Sequence, residues 1–274
     1  MNVLVCTKQD LHGAVFLNAL LPALHGHRVV GVWLSDSVRP AERELPELAL
    51  LHRLERTLPL QQVFPRSGDG AELMGFEALA RRFAVPVQVV PEVIGEPARA
   101  RLAATGAELV VVARFSQLFD AATLALPRCG MVNVHPGRLP RFAGLHAPLR
   151  SVLAGEADLG CSVHWITEGI DAGPLLARHA VPVQPHAGLL EQIAGLYPLA
   201  VPTLVELADA CAAGRRPAGE PQDLGQRRYR SLPDRSEFAA LRQRGMPLWQ
   251  EAGYSGLLRR FLPPGAALPA LPSP

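Results

Sequence analysis

Three residues able to donate a hydrogen bond, move a proton or hold charge stand close together in 131–176. Asn133 and His135 lie two apart in the apolar run MVNVH, so on an extended strand both side chains leave the same face. Pro136 cannot donate to a sheet ladder, which ends the strand with His135 at its carboxyl end, where open parallel sheets keep their ligands. CSVHWI (161–166) reads as another strand, and EGIDAGP (168–174) as the tight loop leaving it, with Asp171 between two glycines. An amide, an imidazole and a carboxylate are thus brought together, and an imidazole titrating near pH 6.5 suits acid–base work.

The elements that must carry these groups follow an α/β rhythm. Residues 3–6 and 29–34 are apolar runs that read as buried strands, with a helix over 14–24 between them. The first loop, TKQDLHG, lacks the G-x-G-x-x-G spacing of dinucleotide sites. Helices are expected over 44–58 and 71–83, strands over 87–90 and 108–113, and a Pro-initiated helix over 148–153. The stretch 187–213 is helical but interrupted by Pro198 and Pro202.

After Gly214 the composition turns Arg-rich and poor in aliphatics. A boundary is drawn there, giving a catalytic domain over 1–214 and an extension over 215–274. Within the extension a short helix over 238–249 packs back, 257–262 is apolar enough for a dimer contact, and 261–274 is a mobile tail. The arginines at 215, 216, 227, 228 and 230 read as solvated surface.

Hydrophobic residues at 49% against 19% charged exclude a mainly disordered chain, and a net charge of +2 gives no global field for nucleic acid. Four cysteines without C-x-x-C spacing read as reduced core thiols. The opening MNVLVCTKQD has no secretory-leader pattern and no window of about twenty uninterrupted apolar residues occurs, so a cytoplasmic location is expected. The histidines share no metal-ligand spacing, and no metal is expected.

With N-x-H-P at 133–136, Leu139-Pro140, the GLH loop at 144–146 and I-D-A-G-P at 170–174, the sequence resembles the folate-dependent formyltransferase family. The likeness runs from about residue 108 to 214, and GLH with SVHWITEGIDAGP looks most like the glycinamide ribonucleotide transformylase branch. The first loop lacks that branch's Gly-Ser-Asn-rich phosphate cradle, which disfavours a phosphoribosyl amine. Gly137-Arg138 replaces the family's common Ser-Leu, and Arg114 stands where a small residue is common.

The resemblance implies a Rossmann-like, mostly parallel open sheet flanked by helices. It also implies transfer of formyl from 10-formyltetrahydrofolate to an amine. Asn133 would donate to the oxyanion, His135 would act in acid–base catalysis and Asp171 would stabilise the imidazolium. Ala113, Arg114, Phe115, Leu118, Ile166, Gly169 and Ile170 would hold the folate, and Lys8, Asp10 and His146 the acceptor. The acceptor is expected to be a small-molecule amine, such as an amino sugar nucleotide or N-hydroxyornithine, with no nucleic-acid partner and a possible homodimer. A 10-formyltetrahydrofolate hydrolase and a non-catalytic folate-binding module are the alternatives.

Overall fold

A computed structural model describes residues 1–272; Ser273 and Pro274, the end of the expected tail, lie outside the described residues. Its elements in chain order are β1 (Asn2–Lys8), α1 (Leu11–Ala23), β2 (Arg28–Ser35), α2 (Pro46–His52), α3 (Phe76–Phe83), β3 (Val87–Val89), α4 (Gly95–Thr105), β4 (Leu109–Ala113) and α5 (Ala121–Leu124). There follow β5 (Gly130–His135), β6 (Ala143–Gly144), α6 (Ala147–Leu153), β7 (Asp158–Trp165), β8 (Leu175–Pro182), α7 (Leu189–Ala194), α8 (Val201–Ala212), β9 (Tyr229–Arg230), α9 (Arg235–Gln243) and α10 (Glu251–Arg259).

Seven strands form one sheet in the order β3-β2-β1-β4-β5-β7-β8. The four pairings from β3 to β5 are parallel, and β7 and β8 close the sheet antiparallel. This is the mostly parallel Rossmann-like sheet expected from the sequence. The order reverses between β1 and β4, and their carboxyl ends frame the crevice where such sheets bind ligands.

Strand alternation sends successive residues into two cores. Val3, Val5, Leu109, Val111, Val132 and Val134 enter the larger one, and Leu4, Cys6, Val110, Val112 and Met131 the smaller one. By that alternation Asn133 and His135 share the face of Met131, while Cys161, Val163 and Trp165 on β7 fall on the opposite one. Helix α1 is apolar all round because it is wedged against both the sheet and the helical run from α7 to α8. Asp10 caps it, its Oδ1 accepting the Gly13 N–H at 2.9 Å.

Several expectations need correction. The helical run Leu189–Ala212 is long and apolar enough by composition to cross a membrane, although Glu191, Gln192, Glu206 and Asp209 interrupt it, so the expectation of no uninterrupted apolar window of that length stands. Its residues Leu189, Leu190, Leu196, Tyr197, Leu204 and Leu207 are nonetheless buried in the main core. Helix α10 was not foreseen. Leu257, Leu258, Phe261 and Leu262, read as a dimer contact and the start of a tail, are buried in the chain's own core, so they offer no surface to a partner. Leu268 and Leu271 also pack against that core. Arg216 stays exposed, as read, but also lies 4.2 Å over the Trp165 ring and donates through Nε to the Cys129 carbonyl at 2.9 Å. All four cysteines are free and buried, and burial pushes the Cys161 thiol up to about 12.

Candidate active site

The antiparallel register of β5 and β7 pairs Asn133 with His164 and His135 with Ser162. That pairing puts a second imidazole beside the first. His164 Nδ1 donates to the Trp165 carbonyl at 2.9 Å, which leaves Nε2 as an acceptor, and Asn133 Nδ2 donates to it at 3.1 Å. The loop after β7 returns Asp171 to the same point. Its Oδ1 lies 3.5 Å from His135 Nδ1 and 3.7 Å from His164 Nε2, and its Oδ2 accepts the Gly144 N–H at 2.8 Å. The other nitrogen of His135 donates to the Phe142 carbonyl at 2.6 Å. Asn133, His135 and Asp171 are therefore together, and His164 completes the group.

Burial alone would push the Asp171 carboxyl up, but His135 and the Gly144 N–H hold it well below the usual carboxylate range. Asp171 is an anion throughout the physiological range. It sits in the left-handed region, with φ of +52°.

These residues form part of the wall of a cavity of about 350 Å³. One side is an apolar shelf made by Phe115, Leu118, Phe119, Ile166 and Ile170. Phe115 and Phe119 are stacked at 5.8 Å, while Leu118 and Ile170 are exposed large apolar side chains. The other side is charged, with Lys8, Asp10, Arg39, Glu42, Glu55, Arg56 and Arg114, backed by Leu48, Leu51, Leu189, Leu190 and Leu248. Among the described residues, no group of three or more His, Cys, Asp and Glu is placed to hold a metal ion.

The remaining expected site residues divide. Phe115, Leu118, Ile166, Gly169, Ile170, Lys8 and His146 line the cavity. Ala113 does not, because alternation turns it into the main core and brings Val112 to the wall instead. Arg114 lines the cavity from the charged side. It adopts a φ of +58°, and its guanidinium is bound by Asp10 Oδ2 at 2.6 Å and by Glu55. Both oxygens of Asp10 are therefore engaged inside the protein, one by Arg114 and one by the cap of α1. Burial opposes the charge on Arg114, and the two carboxylates outweigh it, holding its pKa above the ordinary value. His146 is kept neutral, its pKa driven down to about 3 by burial and then by Arg114 and Arg150.

The sequence alone neither places His164 in the site nor gives Glu55 a role. The first becomes readable only with the β5–β7 register, and the second only with the fold of 46–63 against α1.

Comparison with known proteins bears on this geometry. Residues 78–194 match the formyl transferase family model. Over those residues the chain is similar to a formyl transferase domain. A methionyl-tRNA formyltransferase from Roseiflexus sp. (strain RS-1) is 34% identical over 159 residues, which cover 58% of this chain and 48% of that one. This chain spans about half the length of the first curated relatives it matches. Among solved structures, the phosphoribosylglycinamide formyltransferase of Anaplasma phagocytophilum has a TM-score of 0.55 at 19% identity, over 85% of this chain and 99% of that one. A sugar 3N-formyltransferase solved in the presence of dTDP and 5-N-formyl-THF has a TM-score of 0.53 at 12% identity, over 84% of this chain and 69% of that one. Both likenesses are of fold.

The relatives overturn one expectation. The first matched are all named methionyl-tRNA formyltransferase, against the small-molecule acceptor and the absence of a nucleic-acid partner read from the sequence. A near-neutral net charge is a property of the whole surface and says little about a local contact.

Proposed function

We propose that this chain transfers a formyl group from 10-formyltetrahydrofolate to an amino group, and that the amine is carried by an aminoacyl-tRNA, as the relatives' name suggests. The observation that carries the reaction is the Asn133–His164–Asp171–His135 cluster opening onto a cavity with one apolar and one charged side. The apolar shelf of Phe115, Leu118, Ile166 and Ile170 fits the flat ring system of a folate.

The acceptor nitrogen bonds to the formyl carbon as the bond from that carbon to the folate nitrogen breaks. One proton leaves the acceptor and one reaches the folate nitrogen, so the step balances. Asn133, turned by His164, offers its amide N–H to the charge developing on the formyl oxygen. The loss of one such donor costs about 3–4 kcal/mol in other enzymes. His135 carries the proton, and Asp171 stabilises the imidazolium and holds the ring in place.

The test is formylation of methionyl-tRNA by the purified protein with 10-formyltetrahydrofolate, read as N-formylmethionine after deacylation. His135→Ala and Asp171→Asn are each expected to lower turnover about 10²- to 10⁴-fold. Wild-type turnover in both variants would remove the mechanism. Formate release without any amine would make the protein a hydrolase, and folate binding without formylated tRNA would remove the acceptor assignment alone.

A further inference from the structure

Residues 220–230 lie beyond the segment that matches the family model. They are laid across the two loops that hold the reactive carboxylate. Glu220 and Leu175 exchange backbone hydrogen bonds of 2.7 and 2.8 Å, which anchors the strap to the start of β8. Gln222 then donates through Nε2 to the Asp171 carbonyl at 3.1 Å and to the Gly173 carbonyl at 2.7 Å. Arg227 donates to the Ile170 carbonyl at 2.7 Å. Finally Tyr229–Arg230 pairs as β9 with Ala143–Gly144, and the Leu145 N–H donates to the Arg230 carbonyl at 2.8 Å.

The carboxylate is thus gripped from both directions. Its backbone is held by Gln222 and Arg227, and its Oδ2 by Gly144, whose own strand is held by β9. A side chain at Gly144 would come within 2.1 Å of the Arg230 carbonyl, so the two segments meet without a gap. The grip has a physical reason. A non-glycine residue in the left-handed region costs up to about 1–2 kcal/mol, less for Asp than for most, so surrounding contacts decide whether it stays there. Both amide hydrogens of Gln222 go to carbonyls of that turn, Asp171's own and Gly173's.

We propose that Gln222 is a positioning residue for the formyl transfer, holding Asp171 in the left-handed conformation from which its carboxylate meets His135 and His164, with β9 fixing the opposite loop. The inference rests on the reaction proposed above. It identifies a residue outside the matched domain on which that site depends.

The experiment is a double-mutant cycle between Gln222→Ala and Asp171→Asn in the full chain, paired with titration of the Asp171 carboxyl by carbon-13 NMR. Gln222→Ala is expected to lower kcat about 10- to 100-fold, the scale of a displacement of about 1 Å, with KM for the formyl donor changed less than about threefold. In the Asp171→Asn background the same substitution is expected to cost almost nothing more, because the group it positions is gone. The NMR midpoint of Asp171 is expected to rise in Gln222→Ala towards the ordinary value of about 3.9. Equal losses in both backgrounds, or an unmoved midpoint, would overturn the positioning role. Full activity of Asp171→Asn alone would instead count against the reaction, and the NMR midpoint would still decide whether Gln222 holds the carboxylate.

Discussion

At the scale of single residues, two positions state how tightly the site is built. Gly137 cannot carry a side chain here. A Cβ would lie 2.7 Å from His135 Nε2, 2.6 Å from the Phe142 carbonyl and 2.7 Å from the Ala147 Cβ. Gly137→Ala must therefore push the His135 ring off its carbonyl partner, and turnover is expected to fall at least about tenfold. Wild-type kcat in that variant would mean that the ring tolerates a shift. His146 gives a prediction in pH. Its pKa is about 3 in the folded chain against about 6.5 unfolded, so between those values the unfolded chain binds the extra proton. Stability then rises with pH across that window and is lost as pH falls from about 6.5 towards 3. His146→Asn keeps a residue suited to the left-handed φ of +50° and removes the titration. A thermal midpoint falling less between pH 6.5 and 4.5 than in the wild type is expected, and an unchanged slope would assign the acid sensitivity to other groups.

At the scale of elements, the parts read best from the sequence are those set by local pattern. The apolar runs of β1, β2, β4 and β5 and the proline after His135 place the strands and the carboxyl-end histidine without any tertiary information. Direction and register are different. Nothing local in CSVHWI tells that β7 runs antiparallel to β5, and only that pairing sets His164 against Asn133. Arg114 was hidden for a related reason, since its left-handed backbone and its reach to Asp10 and Glu55 depend on two distant segments. Helix α10 was legible but overlooked: Tyr254, Leu257, Leu258 and Phe261 fall at i, i+3, i+4 and i+7, the pattern of one buried helical face. Tyr254 fastens that helix, packing edge-on against Trp249 at 5.7 Å and donating to the Leu54 carbonyl at 2.6 Å. Tyr254→Ala is expected to cost about 3–5 kcal/mol, as for other buried aromatics. Tyr254→Phe, which leaves only the carbonyl unpaired, is expected to cost about 1–3 kcal/mol. Urea midpoints give both values, and equal losses would mean that the ring contributes nothing.

At the scale of the whole molecule, composition and packing divide the chain differently. The change to Arg-rich sequence after Gly214 suggests an extension that could be removed, yet the segment beyond it closes the core and wraps the site. Phe238, Leu241, Trp249, Tyr254, Leu258 and Phe261 are buried in the same cluster as α1 and the central strands. Each such side chain contributes about 1.5–3 kcal/mol on burial, so losing six of them is as large as or larger than the roughly 5–15 kcal/mol that holds a typical domain together. Two arginines of the solvated patch also serve as fasteners, Arg216 over Trp165 and Arg227 on the Ile170 carbonyl. A fragment of residues 1–214 is therefore expected to lack a cooperative thermal transition and to self-associate through the face that α9 and α10 cover. Circular dichroism melts and gel filtration of the fragment beside the full chain decide the point. A monomeric fragment melting within about 5 °C of the full chain, a difference worth only about 1–2 kcal/mol, would show that the first 214 residues hold their own core and that the rest is an addition to a finished fold.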